Sequence, residues 1–293
     1  MLVNDATGVM GELGVRNQES GVRRQDAFFP TPDSRLLIPV IHREFDPTPV
    51  NRILNDPDVF PSIAVPGLEK FDITPQIRDP SNYFLCVEGG CIIFTPDLPG
   101  SGLYEFHTNF LPARRGRHAL RASMEAYRWM FTRTDCMMLQ TRVPACNRAA
   151  EGFRRWIKAS VWFERKAAWP GPDGLCDLKF CLLSYIDWLN EYPAPFIEAG
   201  RRFHDRLEFE RERLGHPEPR GHPDEECHDL HVGACMEMIH GGQPEKAVQI
   251  YNRWARFAGY GQIALLQRNP LVIDTGDCVL LVADGNFKVI TCR

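Results

Sequence analysis

No stretch of this sequence approaches the ~18 consecutive apolar residues of a membrane-crossing helix, and its first residues lack the basic segment followed by an apolar one that marks a secretory leader. The chain is therefore expected to begin its life in a cytoplasm, with no membrane span. Nor is there an excess of one charge: 34 Lys and Arg stand against 38 Asp and Glu, a net charge of -4. No overall field draws such a protein to nucleic acid or to an anionic membrane, so any anion site has to be built locally. Ten cysteines are present but never as a CxxC pair. They lie scattered through apolar stretches, which suits small buried thiols in a reducing compartment rather than a disulfide framework. Internal repeats and low-complexity segments are missing as well.

What is there divides into four parts. With 293 residues, 44% of them hydrophobic, the chain exceeds one small α/β domain. Residues 1–34 are poor in apolar side chains and rich in Gly, Asn, Gln, Asp and Arg, the composition of an extended arm that lies against another chain rather than folding alone. A mixed α/β domain is expected over 35–192, a helix and linker over 193–223, and a small C-terminal α+β domain over 224–293. The linker signal is Gly215-His-Pro-Glu-Pro-Arg-Gly-His-Pro-Asp224, whose three prolines and two glycines support neither helix nor strand.

Within the central part, apolar runs predict strands over Leu36–Ile41, Tyr83–Val87, Cys91–Thr95, Leu103–Phe110, Met137–Val143, Val161–Lys166 and Leu178–Ser184. Helical spacing predicts helices over Thr48–Leu54, over Leu120–Thr132 with Leu120, Met124, Tyr127 and Phe131 on one face, and from Asn147 with Ala150, Phe153 and Ile157 inward. A third group of helices is expected over Phe196–Leu214, Glu225–Ile239 and Pro244–Ala258, followed by a β-meander that turns at Asp284-Gly285. The order β-α-βββ-α-β-α-β-β gives a mixed sheet flanked by helices.

The segment with chemical content is Leu103-Tyr-Glu-Phe-His-Thr-Asn-Phe-Leu-Pro112, which runs through Ala-Arg-Arg-Gly-Arg-His118 into a long helix. The free N–H groups and dipole at such a helix start favour an anion, and glycine lets a phosphate reach the backbone. With the following strand and the Asn147-led helix, this pattern resembles the GNAT superfamily of acyl-CoA N-acetyltransferases, over about half the chain. The resemblance implies acetyl-CoA as cofactor, with Arg114, Arg115, Gly116 and Arg117 at its diphosphate, Asn147 orienting its arm and Glu105 as a candidate catalytic base. The signature is degenerate. Ala113 stands where the family has Gln or Arg, His118 where it has Gly or Ala, and Arg154 where many members place a tyrosine acid.

A narrower similarity, on Trp162-Phe-Glu-Arg165 and Leu178 to Trp188, is to GNAT-like head-assembly and virion proteins of tailed bacteriophages. It implies a structural component of the head or head-tail region that passes from host cytoplasm to virion and touches other virion proteins through its arm and C-terminal domain. The alternative is an active acetyl-CoA-dependent N-acetyltransferase. No nucleic-acid site stands out. Cys227, His231 and Cys235 share a helix face, but one helix spreads them over ~12 Å, so a packed helix is expected there and no metal. Tyr251, Trp254 and Phe257 are expected in the core.

Overall fold

A computed structural model describes residues 39–64, 67–171, 174–216, 225–283 and 286–292. The arm expected over 1–34, most of the linker and the Asp284-Gly285 turn lie outside the described residues. The chain opens with strand β1 (His42–Arg43), helix α1 (Pro47–Leu54) and two short helices, α2 (Phe60–Ile63) and α3 (Thr74–Arg78). An antiparallel meander of β2 (Tyr83–Val87), β3 (Gly90–Pro96) and β4 (Leu103–Phe110) follows. Helix α4 (Arg117–Arg133) crosses over to β5 (Met138–Pro144), and α5 (Arg148–Trp156) leads to a long hairpin of β6 (Ser160–Gly171) and β7 (Gly174–Ser184). These strands make one seven-stranded sheet in the order β1-β2-β3-β4-β5-β7-β6. Only β4 and β5 run parallel, which is why a helix rather than a hairpin has to join them.

The sheet is apolar on both faces where helices cover it. On β2 and β3, Leu85, Ile92 and Phe94 point to the α4 side, while Phe84, Cys86, Cys91 and Ile93 point to the side covered by α1 and α3. The expected face of α4 is the buried one, with Tyr127 and Phe131 fully enclosed and Leu120 and Met124 partly so. The first strand differs from expectation. Residues 36–38 lie outside the described residues, Pro39–Ile41 is not strand, and pairing starts at His42↔Cys86. Proline brings no N–H to a ladder, and Arg43 fixes the new position by donating to the carbonyls of Pro80 and Asn82 at 2.8 and 3.1 Å. Helices α2 and α3 are too short to show a period. Each has proline as its second residue, and the loop between them is held by Asn51 and Asn55, whose Oδ1 atoms accept from Ile73 N and Phe71 N at 3.0 and 2.8 Å.

Beyond β7, Ser184 caps an additional helix, α6 (Tyr185–Glu191), accepting from Asp187 N. Then come α7 (Ala194–Arg213), α8 (Glu225–His240) and α9 (Pro244–Ala258). A four-stranded antiparallel sheet closes the chain, with β8 (Ala264–Arg268), β9 (Leu271–Asp274), β10 (Cys278–Ala283) and β11 (Asn286–Cys292) in meander order. One apolar core runs from the α4 face of the first sheet through Trp188 and Phe196 to α8, α9 and the inner face of the second. On α8, His231 stacks on Trp254 at 4.2 Å and Cys235 is buried. Burial pushes that imidazole down to about 4 and that thiol up to about 12. Tyr251 is in the core as expected, whereas Phe257 is 89% exposed.

Two features hold the C-terminal layers. Helices α7 and α8 meet backbone to backbone: a Cβ on Gly233 would lie 1.9 Å from Phe196 O, and one on Gly200 would lie 2.0 Å from Asp229 O. Lys246 on α9 donates to the carbonyls of Phe131, Thr134 and Cys136, so it satisfies the end of α4 and the turn into β5.

Gly233→Ala is expected to cost about 3 kcal/mol or more, because two helices have to separate. Gly152→Ala, on α5 with nothing within 4 Å of the new Cβ, should add about 1 kcal/mol; urea unfolding of both variants checks the contrast. Burial pulls the Lys246 ammonium from 10.5 down to about 8. Between those values the unfolded chain holds a proton that the folded one has released, so stability from this group rises with pH across that window. Lys246→Met should lose about 2 kcal/mol at pH 7 by leaving carbonyls without a donor, and should lack that rise when denaturation is compared at pH 7 and 9.5.

Candidate functional site

The parallel pair β4–β5 is joined at only three positions, Leu103↔Met138, Tyr104↔Leu139 and Glu105↔Gln140. Beyond them β4 continues with β3 to Phe110 and β5 continues with β7 to Pro144. The strands part, and each takes its twist from its other neighbour. Glu105 sits at the point of separation. Its face, shared with His107 on β4 and with Gln140 and Arg142 on β5, is the one turned away from α4.

Arg142 crosses the gap and grips both Glu105 oxygens, Nε to Oε1 at 2.6 Å and Nη2 to Oε2 at 2.7 Å. The carboxylate in turn raises the guanidinium pKa. Glu105 is 15% exposed and Arg142 48%. His107 Nε2 approaches the same carboxylate at 3.6 Å, and Gln140 donates to Asp97 at 3.2 Å. A general base needs an oxygen lone pair aimed at its substrate; here a bidentate pair uses both oxygens. Arg142 did not stand out in the sequence, because the pairing depends on a register that only the sheet sets.

The arginine loop forms a 3-10 turn, Pro112–Arg114, and then Gly116 as the N-cap of α4. Gly116 has φ 71 and ψ -131, a region that only glycine enters freely, and a Cβ there would meet nothing within 4 Å. Two of its arginines, Arg114 and Arg115, turn back onto the protein. Arg114 pairs with Glu88 in the β2–β3 turn. Arg115 donates from Nε to Phe110 O at 3.1 Å and from Nη2 to Asp58 O at 2.8 Å, tying the end of β4 to the turn before α2. Arg117 opens the first turn of α4. The His118 ring packs edge-on against Phe110 at 6.3 Å.

Asn147 is the N-cap of α5, its side chain accepting from Ala150 N at 3.0 Å. Further along that helix, Arg154 reaches Glu151 at 2.9 and 3.0 Å and donates to Ala159 O at 2.6 Å. Arg154, then Arg155 and Lys179, pull the Glu151 carboxyl down to about 2. A guanidinium held this way has no proton to give at neutral pH, so the position that the resemblance reserves for a tyrosine acid carries a structural ion pair.

Fitted against coenzyme A, the site offers an open glycine at a helix start, but two of its three loop arginines are bound to Glu88 and to backbone carbonyls. Its Asn caps the start of α5. Arg114, Arg115 and Asn147 are thus engaged within the chain. Two other features are exposed or hollow. Trp162, Phe163 and Phe180 cluster at 5.5 to 6.5 Å on the outer strands, with Trp162 and Phe163 59% and 48% exposed. A cavity of about 510 Å³ lies among α7, α8, α9 and the second sheet, with His204 2.6 Å from the buried Asp229 in its wall. Neither Glu105 nor a loop arginine lines it.

No family model and no curated protein matches the chain. Solved structures similar to it include a chimera of the Vibrio cholerae spermidine N-acetyltransferase SpeG with hSSAT, 15% identical, with 52% of this chain and 99% of that one covered and a TM-score of 0.43. A Vibrio cholerae SpeG structure with manganese ions is 13% identical over 52% of this chain and 96% of that one, TM-score 0.42. A GNAT-family acetyltransferase from Bacillus anthracis is 18% identical over 49% of this chain and 93% of that one, TM-score 0.40.

Proposed function

We propose that this chain is a non-catalytic, GNAT-like structural component of a tailed-bacteriophage virion, in its head or head-tail region. The observation that carries the non-catalytic half is the Glu105–Arg142 pair: both oxygens of the best candidate base are taken by a guanidinium from the neighbouring strand. Around it, Arg114, Arg115, Asn147 and Arg154 are each committed to a contact within the chain. Side chains that hold a scaffold together are poor at exchanging partners with a cofactor at every turnover. The virion half rests on the sequence similarity at Trp162–Arg165 and Leu178–Trp188. The exposed aromatic cluster that those same segments form supports it, since such patches favour protein contact. In this reading the protein moves from host cytoplasm to virion, and the arm of residues 1–34 and the C-terminal domain touch other virion proteins.

One observation favours the alternative, a working acetyl-CoA-dependent N-acetyltransferase. Gly116 leaves the α4 N-terminus open to an anion, beside strands that have already parted.

Thermal unfolding separates the two. Millimolar acetyl-CoA is expected to leave the Tm unchanged in the wild type and in Gly116→Trp alike. Binding at ~100 times the Kd would add about 2.7 kcal/mol, so a rise of several degrees that Gly116→Trp abolishes overturns the non-catalytic reading. For the particle, the protein should remain with purified virions through a high-salt wash, and deletion of residues 1–34 should weaken that association. Its absence from virions would sink the assignment.

A further inference from the structure

Six of the ten cysteines meet in pairs. Cys86 and Cys91 bring their sulfurs to 2.9 Å, Cys146 and Cys176 to 2.8 Å, and Cys278 and Cys292 to 2.8 Å. We infer that these are three oxidation sites, closed to intrachain disulfides by exchange with a low-molecular-weight disulfide. The inference stands apart from the virion reading and would hold for an enzyme as well.

Backbone placement carries it. Cys86 and Cys91 are direct cross-strand partners, as are Cys278 and Cys292. In the β2–β3 hairpin the two-residue turn Glu88-Gly89 makes Val87↔Gly90 the closing hydrogen-bonded pair, so Cys86↔Cys91 is the next, closer pair, with Cα atoms about 4.5 Å apart. That lies within the span a disulfide accepts. The third pair is set by a different device. Ala145 N donates to Asp177 O at 2.8 Å, locking the turn after β5 against β7, and a Cβ on Gly171 would lie 3.2 Å from Cys146 Sγ, so glycine there leaves the sulfur its room. Burial of small apolar thiols does not by itself produce such meetings. Cys136 and Cys235 are equally buried, and Cys136 Sγ turns instead to Met138 O at 3.6 Å.

Exposure sets the order of closure. Cys146 is exposed, whereas Cys86 and Cys91 are buried, and burial raises the Cys91 thiol further from ionisation. In the folded protein the Cys146 thiolate attacks the disulfide of oxidised glutathione and expels one glutathione thiolate. The Cys176 thiolate then attacks Cys146 Sγ and expels the second. Two protein thiols are oxidised, one glutathione disulfide is reduced to two thiols, and the two protein protons end on the leaving sulfurs. The buried hairpin pair closes when the chain folds in an oxidising medium. In a reducing cytoplasm all six remain thiols.

The full-length protein, unfolded, reduced and then refolded in a glutathione redox buffer, should lose about 6 Da and leave only Cys136, Cys181, Cys227 and Cys235 open to alkylation after denaturation. Peptide mapping should return the three pairs. Cys146→Ser should keep the other two bridges and leave Cys176 alkylated. In a parallel arm that needs no refolding, native protein treated with oxidised glutathione should lose about 2 Da first at Cys146–Cys176, with Cys86 and Cys91 still reduced. Alkylation of all ten cysteines, bridges between other partners, or Cys176 still protected in Cys146→Ser would overturn the inference.

Discussion

The rest of the central domain depends on how briefly β4 and β5 pair. Three residue pairs join the two halves of the seven-stranded sheet, after which each strand follows the partner with which it shares more hydrogen bonds. A parallel connection forces α4 across one face, and the parting of the strands sets its start beside the gap. In a catalyst such a gap is a place for a ligand. Here the chain closes one face of it with its own ion pair, Glu105–Arg142. With Arg142 48% exposed, that pair contributes at most about 1 kcal/mol to stability. Its effect is on geometry, because one guanidinium N–H points at each oxygen of the Glu105 carboxylate.

Arginines around the loop are likewise engaged within the chain. Arginine brings several donors in a rigid fork, which suits it to a phosphate but equally to carbonyl oxygens left over at strand ends and turns. Arg115 binds two such carbonyls and Arg154 one, together with a carboxylate. Asn147 satisfies a free N–H at a helix start. Among the residues that the GNAT resemblance marks, Arg115 and Asn147 thus satisfy backbone groups, while Glu105 and Arg114 are held in side-chain ion pairs.

The C-terminal layers are bound to the central sheet by different means. Gly200 and Gly233 let α7 and α8 touch without intervening side chains, Arg128 on α4 pairs with Glu237 on α8, and Lys246 caps the end of α4 from α9. The apolar core is continuous across them. Charged residues give α7 the look of a solvated helix in sequence, yet its Phe196 is enclosed and Glu210 is buried between Arg206 and Arg213 at 3.1 and 3.0 Å.

The sequence by itself determined the elements that announce themselves through period and punctuation: β2 and β4 to the residue, the helices around Tyr127 and Tyr251, the Asn147 helix start, and the mixed order that makes the fold class legible. Short elements escaped it. Helices α2, α3 and α6 hold too few turns to show a period, and β1 begins later than its apolar run because Pro39 has no N–H to pair. Only the tertiary structure decided what the candidate site residues touch. Glu105 and Arg142, Arg115 and Asp58, and the cysteines of each pair became neighbours through strand register and turn packing. Contacts between residues distant in sequence depend on where whole elements settle, and neither composition nor local spacing encodes that position.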